Sequence, residues 1–185
     1  VINDFDDSNE NFNDDGASVT KCPKMYEFVY QDSVVRLIDT PGLSDTRGIS
    51  ADRENVRKIF QHLTENLVKV RQLHAICFVL QTTCTKGTAS FRNCIAELLT
   101  NIHRDAAKNI IFCFTYSRNS QFGPGDGFVM IRALLNQNIF QATEPIALQR
   151  GVNCFFVGNE AYRFLLAKEQ GLYFTNEEEE SNKKS

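Results

Sequence analysis

Strand-like apolar runs alternate with amphipathic stretches along most of this sequence, and that alternation limits the fold more than any other feature. From residue 56 to residue 70, apolar side chains recur every three or four positions, which places them on one face of a helix of about twenty residues. The pattern then predicts strands at 74–81, 110–114 and 152–157, and helices at 88–103, near 127–136 and near 159–169. Because strands joined through helices run parallel with right-handed crossovers, the sequence predicts a three-layer α/β fold around a mostly parallel sheet.

Two β-rich runs precede the first helix. Residues 24–30 and 34–38 are separated only by Gln31, Asp32 and Ser33, and so short a connection forms a tight turn. We therefore expect an antiparallel hairpin, which adds one antiparallel strand to the parallel sheet.

Composition and charge restrict the cellular location and the kinds of binding partner that we expect. The 185 residues carry a formal net charge of −3, so no overall basic field attracts nucleic acid. The longest apolar run, residues 74–80, is far shorter than the roughly 20 residues that cross a bilayer, which argues against a membrane span. Three of the six cysteines, Cys77, Cys113 and Cys154, lie inside strand-like runs, where a thiol behaves as a small apolar group. Such unpaired thiols favour a reducing, cytoplasmic location.

The sharpest chemical signal is Asp39-Thr40-Pro41-Gly42, directly after the apolar run 34–38. Open α/β sheets bind ligands at the carboxyl ends of their strands. An aspartate there can hold Mg²⁺ through a water molecule, and the N–H of Gly42 can approach a terminal phosphate because no Cβ interferes. The alternative is a simple turn after a strand, since Pro and Gly form turns in many contexts.

The segment Ile38-Asp39-Thr40-Pro41-Gly42 resembles the Walker B and switch II motif of P-loop GTPases, and the preceding hairpin is similar to their second and third strands. The resemblance implies a P-loop NTPase-like fold that binds GTP or GDP with Mg²⁺. It implies that Asp39 and Thr20 are the metal ligands and that Thr40 and Gly42 lie beside the nucleotide. Thr20 falls where such proteins place the switch I threonine, although a threonine in a polar loop is also common.

More narrowly, the run from Asp39 to Phe174 resembles divergent animal G domains akin to the immunity-associated and septin-like GTPases. The similar stretches are Glu97–Leu99, Asp105–Ile110, Phe112–Thr115 and Asn159–Phe164. Residues 1–15 carry six carboxylates and no lysine or arginine, which predicts a solvated loop or frayed end. This acidic, flexible segment extends to residue 23 with the switch I-like loop, the resemblance implies an incomplete G domain at 24–174, and the polar residues 175–185 form a charged tail. A homodimer formed through the nucleotide-binding face is compatible with this resemblance.

Guanine is usually recognised through an Asn/Thr-Lys-x-Asp motif after the fifth strand of a G domain. The corresponding segment here, Phe114–Arg118, lacks the aspartate. The remaining candidates for contact with the base are Thr115, Arg118, Asn159 and Glu160. The alternative is a surface arginine together with an Asn-Glu pair that caps the last helix.

No Gly-x-x-x-x-Gly-Lys-Ser/Thr motif occurs in the 185 residues. The simplest explanation is a G domain truncated before its first strand and helix. The absence of this phosphate-binding motif removes several hydrogen bonds to the phosphates. Loss of three such bonds costs about 6 kcal/mol of binding free energy, which weakens the nucleotide affinity by about four decades. We therefore expect poor GTP binding and almost no hydrolysis by this chain alone, and we assign no catalytic residue.

Two further expectations concern the sheet and the function. In the family the missing strand lies between the strand ending at Asp39 and the strand at 74–81, so two strand edges would lack partners. The alternative function is a degenerate G-like fold that acts as an interaction or self-association module without catalysis.

Overall fold

The computed structural model describes residues 7–10, 20–43, 48–66, 72–83, 89–102, 104–137, 146–176 and 179–180. The chain divides into two compact units. Unit 1 comprises Val1–Gln72 with Thr88–Asn101, and unit 2 comprises Leu73–Gly87 with Ile102–Ser185.

Unit 1 contains the predicted hairpin. Strands β1 (Lys24–Tyr30) and β2 (Ser33–Asp39) pair antiparallel, from Lys24 opposite Asp39 to Tyr30 opposite Ser33. At the turn Gln31 has φ 51°, in the left-handed region that tight two-residue hairpin turns require. The prediction of an antiparallel pair is confirmed.

Two helices complete unit 1, α1 (Ile49–Glu65) and α2 (Ala89–Asn101), and they pack against each other. Their buried side chains include Val56 on α1 and Cys94, Ile95, Leu98 and Leu99 on α2. The apolar repeat predicts a first helix that continues to residue 70; α1 ends at Glu65 with Asn66 as its C-cap, and residues 67–70 lie outside the described residues. Both the backbone N–H and the side-chain amide of Asn66 donate to the carbonyl of His62.

A buried carboxylate and a thiol meet within unit 1. Asp52 on α1 is fully buried and accepts a hydrogen bond from Cys94 on α2. Burial, and then the negative charge of Asp52, raise the pKa of the Cys94 thiol from 9.0 to about 11. The folded protein therefore keeps this thiol protonated at a pH where the unfolded chain releases the proton.

That difference predicts a loss of stability in alkali. Because the folded pKa is raised, the free energy of unfolding should fall as pH rises from about 9 to about 11, by on the order of 2 kcal/mol from this thiol. Urea titrations at several pH values should give a shallower decline for Cys94→Ser, which keeps a donor for Asp52. The exposed Cys22 is the control, and Cys22→Ser should follow the wild type. An unchanged slope in Cys94→Ser would contradict the assignment.

Unit 2 contains a three-stranded parallel sheet in the order β3-β4-β5, formed by Ile76–Gln81, Ile110–Thr115 and Cys154–Phe156. Helices α3 (Asp126–Leu135) and α4 (Glu160–Glu169) follow β4 and β5 in the chain. Aromatic rings fill the core, with Phe78 stacked on Phe112 and Phe114 on Phe156. The α/β class is confirmed, and so is the parallel pairing of the strands separated by helices.

Short 3-10 helices occupy Asp7–Asn9, Arg104–Asn109 and Ser117–Ser120. Within the described ranges, no helix has both the length and the apolar character that a membrane crossing requires.

The hairpin forms a sheet of its own, whereas the sequence predicts one sheet that includes it. Strand β2 pairs only with β1, and β3 pairs only with β4, in the part of the chain that the structure describes. Strand pairing depends on which strand edges meet in the folded chain and not on local pattern, and β2 and β3 belong to different units. In the part of the chain that the structure describes, one edge of β2 and one edge of β3 have no strand beside them.

Candidate functional site

The first candidate group lies in unit 1 and consists of Thr20, Asp39 and Glu10. Thr20 Oγ1 lies 3.3 Å from Asp39 Oδ2 and 3.3 Å from Glu10 Oε2. All three residues are half-buried. The single hydroxyl proton of Thr20 can be donated to only one carboxylate at a time. The group therefore presents three oxygen atoms with two formal negative charges in one small volume.

Backbone pairing positions each member of this group. Asp39 is the last residue of β2, paired with Lys24 at the start of β1. Thr20 forms an isolated antiparallel bridge with Glu10. The side-chain amide of Asn9 accepts from Cys22 N–H at 3.1 Å and donates to the Cys22 carbonyl at 2.7 Å. The group is thus assembled by strand-like contacts rather than by side chains alone.

The acidic stretch of residues 1–15 predicts a solvated loop, yet Asn9 and Glu10 bond to residues 20–22. Lys21 N–H donates to the Asn9 carbonyl at 2.9 Å, in addition to the two Asn9 amide bonds. A polar segment without apolar periodicity can still be fixed against another segment when one amide side chain bonds both the N–H and the carbonyl of a residue there. Glu10 reaches Thr20 for this reason, and composition gave no indication of it.

The chemistry of the group suits a small hard cation. Mg²⁺ prefers oxygen ligands and takes one or two protein carboxylates, keeping several waters. Among the described residues, no cluster of three or more His, Cys, Asp or Glu side chains could hold a metal. Glu10, Asp39 and the Thr20 hydroxyl supply two carboxylates and one hydroxyl, the oxygen ligands that Mg²⁺ takes from proteins in small number.

The turn after Asp39 is anchored by α1. Pro41 is fully buried, whereas Gly42 is exposed. The side-chain amide of Asn55, itself buried on α1, donates to the Gly42 carbonyl at 3.0 Å. Thr40 is half-buried between these contacts and Asp39.

The second candidate group lies in unit 2, where β4 ends. The hydroxyls of Thr82, Thr115 and Ser117 all bond inward: Thr115 donates to the Leu80 carbonyl at 3.2 Å, and Ser117 to the Phe114 carbonyl at 2.6 Å. Thr82 Oγ1 donates to the Thr115 carbonyl and lies 2.7 Å from Ser117 Oγ. Thr115 therefore holds β3 and β4 together at their carboxyl ends.

The segment after Thr115 has unusual backbone geometry. Tyr116, Gln121 and Phe122 have φ values of 55°, 51° and 55°, in the left-handed region that residues with a side chain seldom adopt. They flank the Ser117–Ser120 turn that carries the half-buried Arg118. Each such residue costs of order 1 kcal/mol, and strain of this kind clusters at functional sites.

The loop after β5 runs beside this segment. Ser117 N–H donates to the Val157 carbonyl at 3.2 Å, and Val157 N–H donates to the Phe114 carbonyl at 2.8 Å. The loop continues into Gly158, Asn159 and Glu160, where a Cβ on Gly158 would overlap the Glu160 carboxylate. The structure therefore brings the Thr115–Arg118 segment next to the segment that carries Asn159 and Glu160.

The side chains of this loop are not used as a helix cap. Asn159 occupies the N-cap position of α4 but makes no side-chain capping hydrogen bond. Glu160 Oε2 is buried and has no hydrogen-bond partner within the described part of the chain. The capping alternative from the sequence is therefore not what Asn159 does here, and a buried carboxylate oxygen without a partner is costly unless something else binds it.

Thr20 and Asp39 are brought together, and so are the two strand-end loops of unit 2. The first pair and the second group belong to different units. Glu10 and Asn55 are the residues that the sequence analysis missed.

Neither a scan against protein-family models nor a search of curated proteins finds a match for this chain.

Proposed function

We propose that this protein is a GTP-binding G-domain protein in which Asp39 and Thr20 hold Mg²⁺ and the Thr40–Gly42 turn meets the terminal phosphate. The observation that carries the proposal is the 3.3 Å approach of the Thr20 hydroxyl to Asp39 Oδ2, between residues 19 positions apart. The sequence selects Asp39 from a strand-end motif and Thr20 from its distance upstream of that motif. Their contact is what a shared cation would require.

The unit 2 loops support a guanine site. The Glu160 carboxylate, with an unsatisfied oxygen, is an acceptor that can take the N1–H and exocyclic amine of guanine. This is the role that the missing aspartate of the usual motif would fill. Adenine presents an acceptor at the same ring position, so a carboxylate there favours guanine over adenine.

The separate sheets also agree with the proposal. A G domain places its phosphate-binding strand between the counterparts of β2 and β3, and those two strands lack a neighbour on one edge in the described residues. Because the sequence contains no phosphate-binding loop motif, we expect binding that is weaker by about four decades than with such a loop. Asp39 and Thr20 orient the cation, Asn55 fixes the turn, and no residue is assigned as a catalytic base.

Titrations of this chain with GTP, followed by NMR, test the proposal. Millimolar GTP with Mg²⁺ should shift the amide resonances of Thr20, Thr40 and Gly42, and also those of Arg118 and Asn159. ATP should shift the first set and leave the second nearly unchanged, since phosphate and cation binding are proposed for unit 1 and guanine recognition for unit 2, each considered separately. Equal shifts by both nucleotides would remove the guanine assignment, and no shift by either would overturn nucleotide binding.

A second candidate function is a degenerate G-like module that binds other proteins without nucleotide. It is favoured by the inward hydrogen bonds of Thr82, Thr115 and Ser117, which leave these hydroxyls engaged at the place where a base would be recognised. The same titrations separate the two functions, because this candidate requires that neither nucleotide shifts any of the named resonances.

A further inference from the structure

The outer side of α4 is apolar although it faces solvent. Phe164 points inward and is buried, whereas Tyr162, Leu165 and Leu166 lie on the opposite side at helical spacing. Tyr162 is 63% exposed and Leu165 is 61% exposed. Since monomeric proteins seldom leave such a stripe uncovered, this side of the helix is a candidate contact surface.

The end of α4 extends the same surface. Gly171, with φ 82°, ends the helix in a Schellman arrangement: Gly171 N–H donates to the Lys168 carbonyl and Leu172 N–H to the Ala167 carbonyl, both at 3.0 Å. The chain then returns, so that the Phe174 ring contacts Phe164 at 4.6 Å. Leu172 and Tyr173 remain outside, with Tyr173 99% exposed.

Charge on this surface points to one kind of occupant. Lys168 is already engaged, at 2.7 Å from Glu179 and over the Phe164 ring. Arg163 and Glu169 form no side-chain ion pair or hydrogen bond with any described residue. Glu169 lies two turns after Tyr162 on the outer side, and Arg163 flanks it at the other end of the helix. The surface is thus positive near its start and negative near its end.

We propose that α4 packs antiparallel against α4 of a second copy of this chain. A two-fold axis between Leu165 and Leu166 places each of these leucines against the other leucine of the second copy. The same axis places Glu169 of the second copy level with Tyr162 and one residue along from Arg163, so that a hydroxyl and a guanidinium both lie within reach of a carboxylate. A parallel pair would instead oppose Glu169 to Glu169. An anionic membrane is disfavoured because Glu169 lies within the apolar side.

The contact is small. Ten residues of helix extend about 15 Å, and such an area is below that of a standard stable interface. The dimer is therefore weak and concentration-dependent, and it does not depend on nucleotide.

Sedimentation equilibrium over a wide concentration range, up to about 1 mM, tests the apolar part. The wild type should show a monomer–dimer equilibrium, and the double variant Leu165→Glu with Leu166→Glu should remain monomeric at every concentration. Val129→Glu, at an exposed apolar position on α3, is the matched control and should dimerise like the wild type. Far-UV circular dichroism reports whether each variant keeps its helices.

Charge reversal tests the antiparallel geometry without altering apolar surface. Arg163→Glu and Glu169→Arg should each weaken dimerisation at least 10-fold, because like charges then face each other across the axis. An equimolar mixture of the two variants should dimerise again, and so should the variant that carries both changes. A monomeric wild type, failure of both restored combinations, or α4-dependent binding to phosphatidylserine vesicles without dimerisation would overturn the proposal.

Discussion

Replacing Asp39 by alanine should abolish divalent-cation binding at the first candidate group. Asp39 Oδ2 and the Thr20 hydroxyl lie 3.3 Å apart, and the carboxylate supplies much of the charge that attracts a cation there. Mn²⁺, a paramagnetic substitute for Mg²⁺, should broaden the amide resonances of Thr20, Thr40 and Gly42 in the wild type. In Asp39→Ala the broadening should need roughly 100-fold more Mn²⁺, or disappear.

The hairpin offers a matched control for that experiment. Asp32 is an exposed carboxylate in the β1–β2 turn, at the far end of the ladder from Asp39. Asp32→Ala removes the same charge, so it should leave the Mn²⁺ response of Thr20 and Gly42 unchanged. Equal responses in the two variants would mean that Mn²⁺ senses only general negative charge, and the metal assignment would fail.

Replacing Phe114 by alanine should lower the free energy of unfolding of unit 2 by more than any other substitution proposed for this chain. The ring is fully buried, stacks on Phe156 with centroids 5.2 Å apart and contacts Phe128 at 5.9 Å. Loss of a buried phenylalanine costs roughly 3–5 kcal/mol through lost burial and the cavity that remains. Since a domain of ordinary stability has about 5–15 kcal/mol in total, unit 2 should be largely destabilised.

Urea denaturation followed by circular dichroism, together with amide hydrogen exchange in β3–β5, measures this loss. The control is Val79→Ala, on the neighbouring strand β3 but 65% exposed, which should change the free energy of unfolding by less than about 0.5 kcal/mol. If Phe114→Ala were as stable as Val79→Ala, the aromatic cluster would not be the core of this unit.

The element order follows from hydrophobic periodicity because each strand and helix buries one recurrent set of side chains. Strand β3 is predicted at 74–81 and found at Ile76–Gln81, and α4 is predicted near 159–169 and found at Glu160–Glu169. The ends differ because caps decide them, as Asn66 does for α1. The sheet arrangement was not predictable in the same way, since pairing depends on which edges are free and not on local pattern.

The candidate site was predictable only where a motif carries it. Asp39 and Gly42 stand in a strand-end motif, and Thr20 follows from its distance upstream. Glu10 and Asn55 carry no such signal, because an acidic stretch and a polar residue on a helix are common in any sequence. Their roles depend on contacts with Thr20 and with the Gly42 carbonyl, which exist only after the chain has folded.

The parallel register of unit 2 sets the order in which this part of the protein can fold. Ile76 pairs with Ile110, and Phe112 pairs with Cys154. Each ladder can therefore form only after a helix and its connections have been synthesised. Long-range pairing of this kind slows folding, because the chain loses entropy on loop closure before the stabilising contacts between the strands form. During translation β3 therefore emerges well before its partner β4, and its apolar residues stay without that partner in the nascent chain until β4 has been synthesised.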